Sequence, residues 1–121
     1  IVAGGGVALF ECSEHLASLL PTFSGAEAQA IEILIEAYQA PLRQILENAG
    51  KDANEVINFI INNNSKMGYN VKTGDYGDMF SMGVVDPLKV TKNALKNAVS
   101  VATTILSTNA IVTMARSYET K

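Results

Sequence analysis

The chain has 121 residues, of which 48% are hydrophobic and 17% charged, with a net charge of −3. That is enough chain and apolar material for one domain with a core, and it excludes global disorder. No apolar run approaches the ~20 residues that span a bilayer, the single Cys12 and single His15 cannot make an internal disulfide or a Cys/His zinc site, and the acidic balance excludes a general nucleic-acid binder.

The charge is uneven. Residues 1–50 hold six acids against Arg43 alone, whereas residues 51–121 hold six acids and eight bases. The chain opens without Met, on the apolar triplet Ile1-Val2-Ala3 followed by Gly4-Gly5-Gly6. Natural ends are usually polar and loose, so the expectation is a piece cut from a longer protein.

Residues 7–20 are expected to be a helix, with Val7, Leu9, Phe10, Leu16, Leu19 and Leu20 on its apolar side and Pro21 after it. A loop follows. Residues 26–40 form the strongest helical pattern, with Ser24 as N-cap and Glu27 completing a capping box. Ala28, Ile31, Leu34, Ile35 and Tyr38 repeat at helical spacing. Pro41 ends or kinks this helix, or starts a new one over 41–49, which Gly50 closes. Asp52, with Glu55 three positions on, caps a further short helix carrying Val56, Ile57, Phe59, Ile60 and Ile61.

The character then changes. Met67–Val71, the turn Lys72–Asp75 and Tyr76-Gly77 predict a small hairpin. Gly83–Val85 is extended. Asp86 and Pro87 read as N-cap and first residue of a last helix that runs to about Thr108, with Lys89, Lys92 and Lys96 along a polar face. Ala110–Met114 is β-branched enough for a C-terminal edge strand without an evident partner. The expected fold class is mainly α: a helical bundle-like segment with a small β-hairpin and that edge strand.

Few residues suggest chemistry on their own. Gly4–Gly6 before a helix lets the backbone approach a ligand closely and favours an anion at the helix start, or is a packing turn; it is neither a P-loop nor a Rossmann fingerprint. Asp86 is a helix cap or a hydroxyl acceptor. Tyr69 and Asn70 are hairpin residues, or a base-stacking and base-bonding pair. Cys12 is expected at a core or boundary position, and His15 on the surface. No catalytic constellation and no metal-ligand set is complete.

The blocks are more specific together than singly. Ile1-Val2-Ala3-Gly4-Gly5-Gly6-Val7-Ala8-Leu9, Ala40-Pro41-Leu42-Arg43-Gln44-Ile45, Gly68-Tyr69-Asn70 with Tyr76-Gly77-Asp78-Met79, and Met82-Gly83-Val84-Val85-Asp86-Pro87-Leu88-Lys89-Val90-Thr91 occur in order and, with Val112-Thr113, cover nearly the whole chain. The chain thereby resembles the group I chaperonins, the GroEL-type heat-shock chaperonins. The resemblance implies that residues 1–121 are the C-terminal part of the equatorial domain, which is mainly helical, binds ATP and holds two back-to-back rings together. It implies Gly4 and Gly5 at the ribose side of the nucleotide, Ile45, Tyr69, Asn70, Val71 and Val84 around the adenine, and Asp86 as the ribose-binding aspartate. Arg43 falls among contacts between rings, and the strand around Ile111–Thr113 would pair with an N-terminal part and a neighbouring subunit.

The same resemblance puts the phosphate loop, the ligands of the magnesium that accompanies ATP or ADP, and the catalytic aspartate outside this sequence. The apical region that grips unfolded client proteins and the co-chaperonin is outside it as well. Val71-Lys72 stands where the family commonly has two small residues. The expectation is therefore part of a homo-oligomeric protein-folding machine, inactive alone, from the bacterial cytoplasm or else a mitochondrial matrix or plastid stroma, binding neither nucleic acid nor membrane. The competing expectation is a stand-alone helical module that associates with itself.

Overall fold

The structure is a computed structural model that describes residues 1–63 and 67–107. Residues Ile1–Pro87 make one compact unit. It runs β1 (Val2–Ala3), α1 (Val7–Leu19), a 3-10 turn (Leu20–Thr22), α2 (Gly25–Asn48), α3 (Ala53–Asn63), β2 (Met67–Asn70), β3 (Asp75–Asp78) and β4 (Val85–Asp86). The helix α4 (Leu88–Leu106) belongs to a second unit. The fold is mainly helical, with a few short strands in two small sheets.

α1 packs against the sequence-adjacent α2, and the core of the first unit gathers where α2, α3 and β2 meet. Phe10 from α1, Leu42 and Leu46 from α2, and Val56, Ile57 and Ile60 from α3 are buried together with Tyr69 of β2. The α3 positions follow the three-and-four spacing that places residues on one helical face. Tyr76 of β3 joins this core edge-on to Tyr69, ring centres 4.9 Å apart, and tilts against Phe59 at 4.1 Å. Burial pushes the Tyr76 phenol up from its ordinary value, and the neighbouring Tyr69 and Glu55 push the same way.

Pro41 does not end its helix. α2 runs through it as one element of 24 residues. Proline removes one backbone donor, but half-buried Ile31, Ile35 and Tyr38 before it and buried Leu42 and Leu46 after it hold both halves in the same packed layer. Ser24 occupies the N-cap position, yet its hydroxyl makes no capping bond.

The end of α2 forms as the sequence predicts. Gly50 takes φ +73°, its N–H donates to the Glu47 carbonyl (2.9 Å), and the Lys51 N–H donates to the Leu46 carbonyl (2.9 Å). This is a Schellman closure, which needs a left-handed residue after the helix. Asp52 then caps α3: its Oδ1 accepts the N–H groups of Asn54 (3.0 Å) and Glu55 (3.3 Å).

The predicted hairpin is also present. β2 pairs antiparallel with β3, Tyr69 opposite Tyr76 and Asn70 opposite Asp75. A second pairing is not evident in the sequence: β1 lies antiparallel to β4, Val2 opposite Asp86 and Ala3 opposite Val85. Asp86 is thus a strand residue, and α4 starts two positions later, at Leu88, so the expected N-cap role for Asp86 is replaced by one in the β1–β4 pair. Cys12 is exposed, not at the core, because α1 turns Phe10 and Ser13 inward instead.

α4 has no fully buried residue. Leu95 is half-buried, while Val99 and Ile105 are exposed. Thr103 and Thr104 donate back to the carbonyls of Val99 (2.8 Å) and Ser100 (3.0 Å). The expected edge strand over Ala110–Met114 lies outside the described residues, as does the contact assigned to Ile111–Thr113. No described helix is long and apolar enough to cross a membrane.

Candidate functional site

The triple glycine opens the site. Gly4 is buried, and its N–H donates to the Val84 carbonyl at 2.9 Å, extending the β1–β4 pairing by one rung. A Cβ on Gly4 would stand 3.1 Å from the Val84 and Val85 backbone, so the two segments lie closer than a side chain there would comfortably allow. Gly5 and Gly6 then turn the chain into α1 with φ +64° and +81°. A Cβ on Gly6 would meet the Leu42 backbone at 2.8 Å, which is how the start of α1 comes flush against α2.

This zipper brings Gly4, Gly5, Val84 and Asp86 into one corner, from opposite ends of the first unit. Val84 is half-buried and Asp86 exposed. Asp86 offers a carboxylate that accepts from two hydroxyls at once and so suits a vicinal diol.

The hairpin supplies the next group. Tyr69 is only 7% exposed and belongs to the core. Asn70 follows it and is half-buried. Its Oδ1 accepts the Lys72 N–H (3.0 Å) and its carbonyl accepts the Gly74 N–H (2.7 Å), which fixes the hairpin tip. The Asn70 amide NH2 has no partner among the described residues and remains a donor. Val71, the first turn residue, is exposed.

A tight loop joins the hairpin to the Val84 corner. The Asp78 carboxylate accepts from the Ser81 N–H and the Ser81 hydroxyl, both at 2.8 Å, and these bonds hold it below its ordinary value of 3.8. Met82 N–H bonds the Asp78 carbonyl (3.1 Å), and Val84 N–H bonds the Met79 carbonyl (2.9 Å). Met79 and Gly68, which residue-by-residue reading did not single out, lie between the two groups. Neither belongs to a periodic pattern, and their only sequence signal is their place within the quoted blocks.

Two candidates stand apart. Ile45 is half-buried on α2, between Leu42 and Leu46, and no hydrogen bond or ring contact among the described residues joins it to the others. Arg43 donates from Nη1 to Asn54 Oδ1 at 2.7 Å, tying α2 to α3. Among the described residues no three His, Cys, Asp or Glu side chains are grouped to hold a metal ion.

The chain is similar to the open state of a group III chaperonin at 33% identity and TM-score 0.81, covering 93% of this chain and 24% of that one. It is also similar to an open-state monomer of a group II chaperonin from Methanococcoides burtonii, at 29% identity and TM-score 0.80, covering 89% of this chain and 28% of that one. The model of the TCP-1/cpn60 chaperonin family matches residues 1–116. The chain belongs to the TCP-1/cpn60 chaperonin family, and it spans about a quarter of the length of these solved relatives.

The branch expected from the sequence is corrected by these findings. The relationship is to group II and group III chaperonins and not specifically to the group I, GroEL-type proteins. The physical reason lies in the quoted blocks. Many of their positions are glycines at close approaches and hairpin residues, which constrain a backbone and do not distinguish one branch of a family from another.

Proposed function

We propose that residues 1–121 act as the C-terminal segment of a chaperonin equatorial domain and form the ribose-and-base side of an ATP site. In this reading Asp86 accepts the ribose hydroxyls, with Gly4 and Gly5 beside it. Val84, Asn70, Val71 and Ile45 surround the adenine, and the Asn70 amide donates to a ring nitrogen. Tyr69 acts from the core, holding the Asn70 backbone. The observation that carries the proposal is the Gly4–Val84 zipper, which sets a left-handed glycine turn and an exposed carboxylate in one corner.

The donor set suits a nucleoside and not a metal. Asp86 is a single acid, and a lone carboxylate is a poor magnesium cage. Its charge also repels phosphates. Magnesium and the phosphates would therefore be held by other residues, and no chemical step is assigned to this segment. ATP bound at the site would supply the free energy for switching between chaperonin states. By kinship with group II and III chaperonins, the protein would work as a homo-oligomeric ring on unfolded clients, in a cytoplasmic or organellar compartment. Arg43 would contribute to a contact between rings.

Photolabelling with 8-azido-ATP, followed by peptide mapping, tests the reading in the natural polypeptide that carries this sequence. Label protectable by ATP on the peptides around Tyr69–Val71 or Val84–Asp86 is expected. Protectable label confined to other parts of the protein would overturn it.

A further inference from the structure

We infer that Met79 is a positioning residue that sets the separation between the Asn70 hairpin and the Gly5–Asp86 corner, and so controls selectivity for the ribose and base of a bound nucleotide. The inference rests on the nucleotide reading above and deepens it.

Met79 is 1% exposed. Its side chain threads between two glycines that belong to different parts of the site. A Cβ on Gly5 would lie 2.8 Å from Met79 Cε, and a Cβ on Gly68 would overlap the Met79 sulfur. The same Gly68 Cβ would stand 2.8 Å from Val7 Cγ2, so the space is closed on that side by the start of α1. Met79 also accepts the Val84 N–H at its carbonyl, 2.9 Å. One residue therefore abuts the glycine turn, the strand that carries Asn70 and the segment that leads to Asp86.

The residue type fits this duty. An unbranched thioether can pass through a slot between two Cα atoms that a β-branched side chain cannot enter. Interiors are packed densely enough that a change in one such filler moves its neighbours. Asp78 below it is fixed by Ser81, so the loop that holds Met79 has little freedom to absorb a change. Moving Met79 would shift Gly5 relative to Gly68, and with them the carboxylate relative to the amide.

The test is equilibrium binding of ATP and of 2′-deoxy-ATP to the natural polypeptide, alongside thermal melting, for wild type, Met79→Ala and Met79→Leu. Met79→Leu keeps the buried volume and carries the test if Met79→Ala does not fold. A wild-type preference for ATP of about tenfold is expected, the size of one hydroxyl bond to a charged group. In either Met79 variant that preference should fall below about threefold, by more than any uniform loss of affinity. A folded Met79→Leu protein with the full preference would overturn the inference alone, leaving Met79 a core filler. A wild type with no preference, together with Asp86→Asn binding ATP normally, would overturn the nucleotide reading and this inference together.

Discussion

The Gly4 N–H and the Val84 carbonyl, eighty positions apart, meet at 2.9 Å, and no Cβ could stand between them without pushing on backbone. Gly4 has no positive φ, so a side chain there acts through space alone. Gly4→Ala must displace the Val84–Val85 backbone by a few tenths of an ångström. The expected cost is about 1–2 kcal/mol, read as a lowered urea midpoint at constant m value.

Gly6 carries a heavier constraint. It has φ +81°, and a Cβ would meet the Leu42 backbone at 2.8 Å. Gly6→Ala combines left-handed strain with a clash against α2, and should cost about 3 kcal/mol or more. Gly50 provides the control: φ is +73° but nothing lies within 4 Å of the added carbon. Gly50→Ala should cost only about 1–2 kcal/mol. Thermal melts of the two variants separate clash from strain.

Asp52 caps α3 through the N–H groups of Asn54 and Glu55. Asp52→Ala should destabilise by about 1 kcal/mol. Asp52→Asn keeps an acceptor oxygen and should recover most of the loss, which chemical denaturation can measure.

Asp78 makes the stability of the connecting loop depend on pH. The Ser81 bonds favour its charged form, so its folded value lies below the ordinary 3.8. A depressed folded value means a stabilisation that is present in full above the unfolded value and lost as pH falls through the folded one. The loop should therefore loosen as pH falls from the ordinary value of 3.8 through the lower folded one. Ser81→Ala removes the hydroxyl donor and should raise the Asp78 midpoint toward 3.8, as read by NMR titration of its carboxyl carbon. An unchanged midpoint would show that the Ser81 N–H alone sets it.

Local signals were readable from the sequence and distant ones were not. The Gly50 closure and the Asp52 cap each depend on residues a few positions apart, and both form. The hairpin was legible for the same reason, its two strands being separated only by a short turn rich in turn formers. The β1–β4 pair was not, because two-residue strands carry no alternation and the partner is most of the chain away. Ser24 shows the reverse error, a good cap sequence whose hydroxyl makes no cap bond. Pro41 reads as an end, a kink or a new start because its local penalty is visible in sequence, while the packing that carries α2 through it as one element is tertiary. Of the candidate site, the two ends of the zipper and the hairpin stand out in the sequence blocks, whereas Met79, which lies between them, gives no periodic signal.

The role proposed for Asp86 is to accept the ribose hydroxyls of a nucleotide. Asp86→Asn keeps the shape of the side chain while removing its charge and one acceptor, and Asp86 is exposed, so folding should be little affected. Calorimetric titration of the natural polypeptide with ATP measures the consequence most directly. An affinity about tenfold weaker than wild type with the melting midpoint unchanged is expected. Wild-type affinity in a folded Asp86→Asn protein would contradict it.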